Sequence, residues 1–332
     1  MATIDLHGNT RALVTGATGF VGSALCVRLR ELGYDVRCSI RNPSSATKHA
    51  TFDTIATGEL GPNTDWTRAL SGIDVVFHLA ARTHVLRDTS LDPLAEFRRI
   101  NAEGTHSLAR AALRAGVRRV VFLSSIKVTG ERTDRFPFTE DTPLHPEDGY
   151  GASKREAEQA LHAVARDTDL ETVILRPPLV YGPGVKGNLL RLTHWIAGGV
   201  PLPFASISNR RSLVYVGNLV DAIIAASKSP TAAGNAYLVS DNDDVSTPDL
   251  IQSIATALQM RPRLFPCPPA LLMAGATILG KREEMRRLTG SLQIDSSKIR
   301  NDLPWNPRFQ MTQGLALTAQ WYYSQYPTKS NT

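Results

Sequence analysis

The chain holds only three cysteines, Cys26, Cys38 and Cys267, in 332 residues. They make neither a CxxC pair nor an even framework, which fits a reducing cytoplasm and gives no metal site and no catalytic thiol. Long apolar runs are also missing. The longest, "ALLMAGATILG" at 270–280, has about half the length a bilayer span requires and is expected as a buried or interfacial helix, with no membrane span. The start, "MATIDLHGNTRALVTG", lacks a charged segment followed by an apolar run and a small-residue cleavage site, so no signal peptide is expected. Basic blocks are absent too. The net charge of +6 and pI of 9.3 come from "RR" pairs scattered at 98, 118, 210 and 286, without interleaved exposed aromatics. That pattern argues against nucleic acid as a partner and suits a basic groove for a phosphorylated small molecule. Repeats and low-complexity tracts are lacking as well.

What is present is a strict alternation. "RALVTG" is a short apolar run ending in glycine, "ATGFVGSALCVRLRELG" has a helical period, and "DVRCSI" is a second strand. The order continues through "DTIATGEL", "DWTRALSG" and "DVVFHLAA", a helical stretch from about Pro93 to Gly116, and the strand "RRVVFLSS". A helix from Tyr150, the strand "ETVILRPP", a strand and helix in "RRSLVYVGNLVDAIIAA", and the strand "NAYLVSD" complete it. Continuous apolar strands separated by helices predict an α/β fold, a Rossmann-type doubly wound parallel sheet with a smaller interleaved substrate lobe. The expected dinucleotide-binding domain spans 8–183, with 212–240 returning to the sheet, and the lobe spans 184–211 and 241–325.

"TGATGFVG" places Gly16, Gly19 and Gly22 between the first strand and its helix. One glycine serves the tight turn, one lets a pyrophosphate approach the backbone, and one allows close packing of helix on sheet. At the end of the second strand, where an acid would accept from the adenosine ribose of NAD, the chain has Ile40 and then Arg41, with Arg37 and Lys48 nearby in sequence. Arginine there favours NADP(H), with NAD(H) the alternative and a solvated strand end the bland reading of Arg41.

"YGASK" sets Tyr150 and Lys154 four residues apart at the start of a helix. A free phenol has a pKa of about 10 and is a poor acid or base at neutral pH unless its anion is stabilised. Side chains at i and i+4 share a helix face, so an ammonium there can favour phenolate.

Together "TGATGFVG", "DVVFHLAA", "NAEGT", "FLSSIKVTG", "YGASK", "RPPLVYGPG" and "RRSLVYVGNLVDA" resemble, in order and spacing, the extended short-chain dehydrogenase/reductase superfamily, within it the nucleotide-sugar epimerase, dehydratase and 4-reductase group. The resemblance implies that Tyr150 is the general acid/base, that Lys154 holds the nicotinamide ribose and lowers the phenol's pKa, and that Ser125 bonds the reacting oxygen, with Ser124 a neighbour of the nicotinamide. It places Phe20 and Val21 in the glycine turn, Glu59 and Leu60 near adenine, and Ala80 and Ala81 along the cofactor's phosphate and ribose. Asn101 is expected to brace the strand bearing Ser125. On the substrate side it implies Thr83, Asn188, Arg211 and a second arginine, Arg287 or Arg286, with Phe204 either stacked on the base or in the core. Arginine forks suit a diphosphate. A homodimer through the helices at 93–116 and 150–168 is a further implication.

Two departures narrow the chemistry. Dehydratases of this group carry an Asp-Glu pair just after the Ser/Thr, whereas this chain has Ile126 and Lys127, and Leu179 stands where many epimerases carry Asn. Dehydration is therefore not expected. Arg41 and the motifs "SSIKV" and "RPPLVYGPGVKGN" favour NAD(P)H-dependent reduction of a 4-ketosugar nucleotide, most similar to bacterial 4-reductases of UDP-4-keto-6-deoxy-N-acetylhexosamines in surface-polysaccharide biosynthesis. A UDP-sugar 4-epimerase with tightly held NAD is the first alternative and a non-catalytic dinucleotide-sensing module the lesser one. "VRCSIRNP" also resembles the second strand of plant flavonol reductases, against which the diphosphate arginines count.

Overall fold

The structure is a computed structural model that describes residues 10–42, 51–83, 90 and 92–327. Its strands β1 (Arg11–Thr15), β2 (Asp35–Ile40), β3 (Asp53–Ala56), β4 (Val75–His78), β5 (Arg119–Leu123), β6 (Glu171–Arg176) and β9 (Ala236–Leu238) form one sheet in the order β3-β2-β1-β4-β5-β6-β9. Every pairing is parallel. Ala12, Leu13 and Val14 of β1 are fully buried, as a strand covered on both faces must be. Strand order reverses between β1 and β4, and that switch point opens a crevice at the carboxyl ends of the strands.

Helices α1 (Phe20–Glu31) and α7 (Val216–Lys228) cover one face. The other carries α2 (Thr67–Leu70), α4 (Gly104–Arg114) and α5 (Gly149–Ala165), closing a second core around Leu13, Val76, Phe122 and Leu161. Buried Arg119 ties α7 to β5 by donating through Nη1 to the carbonyls of Ala226, Ser227 and Ser229 at 2.8–2.9 Å, which occupies carbonyls that the helix end leaves open. The stretch from Pro93 is helical as expected but not uniform: α3 (Pro93–Phe97) passes through a π-turn at Arg98–Glu103 before α4. Such widened turns put a residue out of helical register.

The lobe has its own core, built from α6 (Gly187–Ala197), α8 (Thr247–Ala257), α12 (Met311–Gln325) and a two-stranded parallel sheet of β7 (Leu179–Tyr181) and β8 (Leu213–Tyr215). The segment 212–240 therefore returns to the main sheet only through α7 and β9, because β8 pairs with β7 instead. Both strands read LVY and pair residue for residue, so Tyr181 and Tyr215 lie side by side with ring centroids 5.6 Å apart. Asp241 joins them, accepting from Tyr181 Oη at 3.0 Å and from Tyr215 N at 2.9 Å. Helices α9 (Pro269–Ile278), α10 (Arg282–Thr289) and α11 (Ser297–Asp302) complete the chain. The segment 270–280 is not buried: Leu272 and Ala276 face inward while Leu271, Ile278 and Leu279 are exposed. No helix among the described residues is long and apolar enough to cross a membrane.

Candidate active site

The crevice begins at the glycine turn. Gly16 has φ +70°, and a Cβ there would stand 2.7 Å from Ala80 N; one on Gly22 would stand 2.1 Å from Gly16 O. Both glycines are thus required by close backbone approach. Gly19 precedes α1 without any side-chain cap, so the first-turn amides remain available to an anion. This cradle, roofed by Ala80, fits a pyrophosphate. Phe20 and Val21 pack against the lobe core and stay partly exposed.

At the adenosine end Arg41 is exposed and has no partner among the described residues. Arg37 is not available: Nε pairs with Asp53 at 2.7 Å and Nη1 donates to the carbonyls of Arg68, Ala69 and Ser71. Lys48 lies outside the described residues. Glu59 is exposed and pairs with Arg99 at 2.9 Å, and Leu60 packs its side chain against Gly104.

Tyr150 and Lys154 occupy the first turns of α5, whose N-cap, Asp148, accepts from Gly151 N at 2.7 Å. That end of the helix packs on the short turn Ile126–Val128 that follows Ser125. Ser125 Oγ accepts from Lys127 N at 3.3 Å, which leaves its own proton free to donate. In the cofactor-free chain desolvation dominates the electrostatics of the pair. Burial, and then the Asp148 charge, push the Tyr150 phenol well above its ordinary value. Lys154 is itself 1% exposed, and burial, countered in part by Glu158, pushes it down to about 7. Its ammonium has no hydrogen-bond acceptor among the described residues and stands 3.9 Å over the Phe122 ring. Its donors are therefore available for a bound ribose. Ser124 is structural, donating to Glu158 Oε1 at 2.5 Å, while Glu158 takes Arg176 in two bonds at 2.7 and 3.0 Å.

A buried polar chain links the glycine turn to α5. His78 Nδ1 lies 2.7 Å from Thr15 Oγ1 and Nε2 lies 2.9 Å from Thr105 Oγ1, while Thr105 donates to Asn101 O at 2.5 Å. With the Thr105 proton committed, Nε2 must be the donor and Nδ1 the acceptor, which fixes one neutral tautomer. Burial, and then the Lys154 charge, accordingly push His78 down to about 3. Asn101 braces the loop after β4 and helix α5 rather than β5: its amide pairs with Arg82 N and O at 2.7 and 3.0 Å and donates to Ser153 Oγ at 2.9 Å. Ser153 passes the chain on to Tyr150 O at 2.8 Å. The π-turn is what gives Asn101 this reach. His78, Thr15, Thr105 and Ser153 escape a motif search, although one histidine inside the apolar run "VVFHL" is their trace in the sequence.

On the substrate side Arg287 pairs with Glu131 at 2.8 and 3.2 Å, and Glu131 also takes Lys127 at 2.7 Å. Lys127 reaches Asp148 at 2.5 Å as well. Arg211 donates to the carbonyls of Arg287 and Gly290 at 2.6 and 2.9 Å, and burial pushes it down to about 10. Arg287 and Arg211 are thus neighbours, whereas Arg286 turns to Glu283 at 3.1 Å. Asn188 is exposed at the start of α6 and accepts from Arg191 at 3.1 Å. Thr83 is exposed at the crevice loop after Ala81. Phe204 is 4% exposed in the lobe core, which leaves no open ring face for a base.

The description "NAD dependent epimerase/dehydratase family" matches residues 12–240. The chain belongs to that family. A Vibrio cholerae UDP-glucose 4-epimerase is 41% identical over 96% of this chain and 98% of its own length. An Escherichia coli O157:H7 N-acetyl-α-D-glucosaminyl-diphospho-undecaprenol 4-epimerase is 27% identical over 95% and 96%. The solved structure of MoeE5 in complex with UDP-glucuronic acid and NAD superposes with a TM-score of 0.76 at 26% identity, covering 95% of this chain and 99% of that one.

Proposed function

We propose that the protein is a 4-epimerase of a nucleotide sugar, a UDP-hexose, that keeps NAD bound through the cycle. The observation that carries this reading is a division of residues: Ser125, Tyr150 and Lys154 are grouped at the crevice for chemistry at a secondary alcohol. The two positions after Ser125 hold buried Ile126 and ion-paired Lys127, so no carboxylates serve an elimination. The near full-length similarity to the Vibrio enzyme supports epimerisation over the reduction favoured by the sequence motifs, and the NAD held by MoeE5 supports that cofactor.

The dinucleotide, when bound, supplies the oxidising and then reducing equivalent at its nicotinamide. Tyr150 removes the proton of the sugar 4-hydroxyl and later returns one to the same oxygen, while Ser125 donates its free proton to that oxygen and holds it in place. Lys154 places its ammonium on the ribose side. There the acceptors and charge change of a bound cofactor oppose the burial that lifts the phenol in the free chain. Arg211 and Arg287 meet the diphosphate, and Asn188, Thr83 and the glycine cradle complete the envelope.

A second reading, NADPH-dependent reduction of a 4-ketosugar nucleotide, is favoured by exposed Arg41 and by the lack of any acid between 36 and 52. Incubation with UDP-sugars while following reduced nicotinamide absorbance separates the two. Interconversion of 4-epimers without net consumption, slowed about 10²- to 10⁴-fold in Tyr150→Phe at unchanged NAD affinity, is the expected result. Stoichiometric oxidation of added NADPH without interconversion would replace epimerase by reductase.

A further inference from the structure

Helix α9 exposes an apolar face with nothing against it among the described residues. Leu271, Ile278 and Leu279 are 64%, 85% and 73% exposed, and Phe265 just before the helix is 44% exposed. Leu271, Ala274, Ile278 and Leu279 fall at helical spacing on one side, while Leu272 and Ala276 take the inner side. The two ends of this apolar stretch are cationic: Arg261 and Arg263 before it, Lys281 and Arg282 after it, all exposed. Residues 250–282 contain those four cations and no acid. The first acids beyond are already partnered, Glu283 by Arg286 at 3.1 Å and Glu284 by Arg191 at 2.6 Å.

We infer that this face docks the substrate lobe on an anionic lipid bilayer, with α9 lying in the headgroup plane. A helix of ten residues is about 15 Å long, too short to cross a membrane, yet an apolar side between cationic ends is what an interfacial helix needs. Charge decides against a second copy as the occupant. A two-fold pairing of α9 faces would set the same four cations against one another, whereas anionic headgroups neutralise them at both ends of the buried apolar strip. The face is close to the chemistry, because α9 packs on α10, and α10 carries Arg287 to Glu131 at the crevice. The docking does not depend on which reaction the site performs.

Sedimentation of the full chain with vesicles of phosphatidylglycerol and phosphatidylcholine in equal parts, compared with phosphatidylcholine alone, tests it. The chain should bind the anionic vesicles at least about tenfold more tightly, each cation contributing roughly fivefold at low salt. Replacing Arg261, Arg263, Lys281 and Arg282 together by Gln should abolish that preference. The variant Leu271→Ser/Ile278→Ser/Leu279→Ser should weaken binding to both vesicles, with thermal midpoint and dinucleotide affinity unchanged as proof of folding. A wild-type chain left in the supernatant with both vesicles overturns the inference, as does vesicle binding that the serine variant retains. Concentration-dependent dimerisation lost in the serine variant, without vesicle binding, would assign the face to a second copy instead.

Discussion

Burial of the Tyr150 phenol and the Asp148 carboxylate at the foot of its helix both oppose phenolate formation in the cofactor-free chain, where the Lys154 ammonium stands over the Phe122 ring. The four-residue spacing was legible in the sequence, whereas the burial that raises the phenol was not, because spacing carries no information on desolvation. His78 gives the residue-scale prediction. Its native pKa lies near 3 against an ordinary value of 6.5, so as pH falls below 6.5 the unfolded chain takes up a proton that the native chain refuses. Stability contributed by the neutral imidazole is complete above pH 6.5 and declines towards pH 3, by roughly 3 kcal/mol at pH 4. Thermal midpoints of the cofactor-free protein should fall between pH 6.5 and 4, and His78→Asn should flatten that slope while lowering the midpoint at pH 7. An unaltered slope would remove His78 from the account.

Among elements, the turn from β1 into α1 is the most tightly specified. Gly22→Ala drives a methyl into the Gly16 carbonyl, whereas Gly33→Ala, at φ +83° with open space around it, strains only its own backbone. The first should cost about 2–3 kcal/mol and abolish dinucleotide binding, the second about 1 kcal/mol with binding intact, as read by denaturant unfolding and cofactor titration. Strands β1, β4, β5 and β6 were legible because each is a run of buried apolar residues bounded by turn formers. The pairing of β7 with β8 was not: a three-residue strand has too little pattern to reveal its partner. The π-turn at Arg98–Glu103 was equally silent, since the segment keeps a helical composition and only the reach of Asn101 betrays the extra residue. For α9 the sequence left two options, a buried or an interfacial helix, because hydropathy does not record which side of a helix finds a partner; Leu272 and Ala276 turn inward while Leu271, Ile278 and Leu279 stay exposed.

At the scale of the molecule the two halves meet through charge. Arg287 of the lobe holds Glu131 of the sheet domain, which also holds Lys127, and Arg211 secures the carbonyls at the end of α10. Arg287→Met should raise KM for the sugar nucleotide about tenfold or more, as loss of a charged hydrogen-bonding pair implies, and leave NAD affinity unchanged. Equal effects on both ligands would mean that the arginine only holds the lobe in place. The proline- and glycine-rich excursions mark irregular segments in the sequence, whereas the Arg287–Glu131 pair joins residues 156 positions apart and leaves no local trace.

Tyr150, Lys154 and Glu158 follow one another at four-residue steps, and Glu158 is clamped to Ser124 and Arg176 at the ends of two adjacent strands. One added residue between the phenol and that clamp would swing the phenol by about 100°. The helix thus tolerates no change of length. Arg287 approaches Asp148, the cap of that same helix, at 3.7 Å, so a shift in its frame would be felt in the lobe as well.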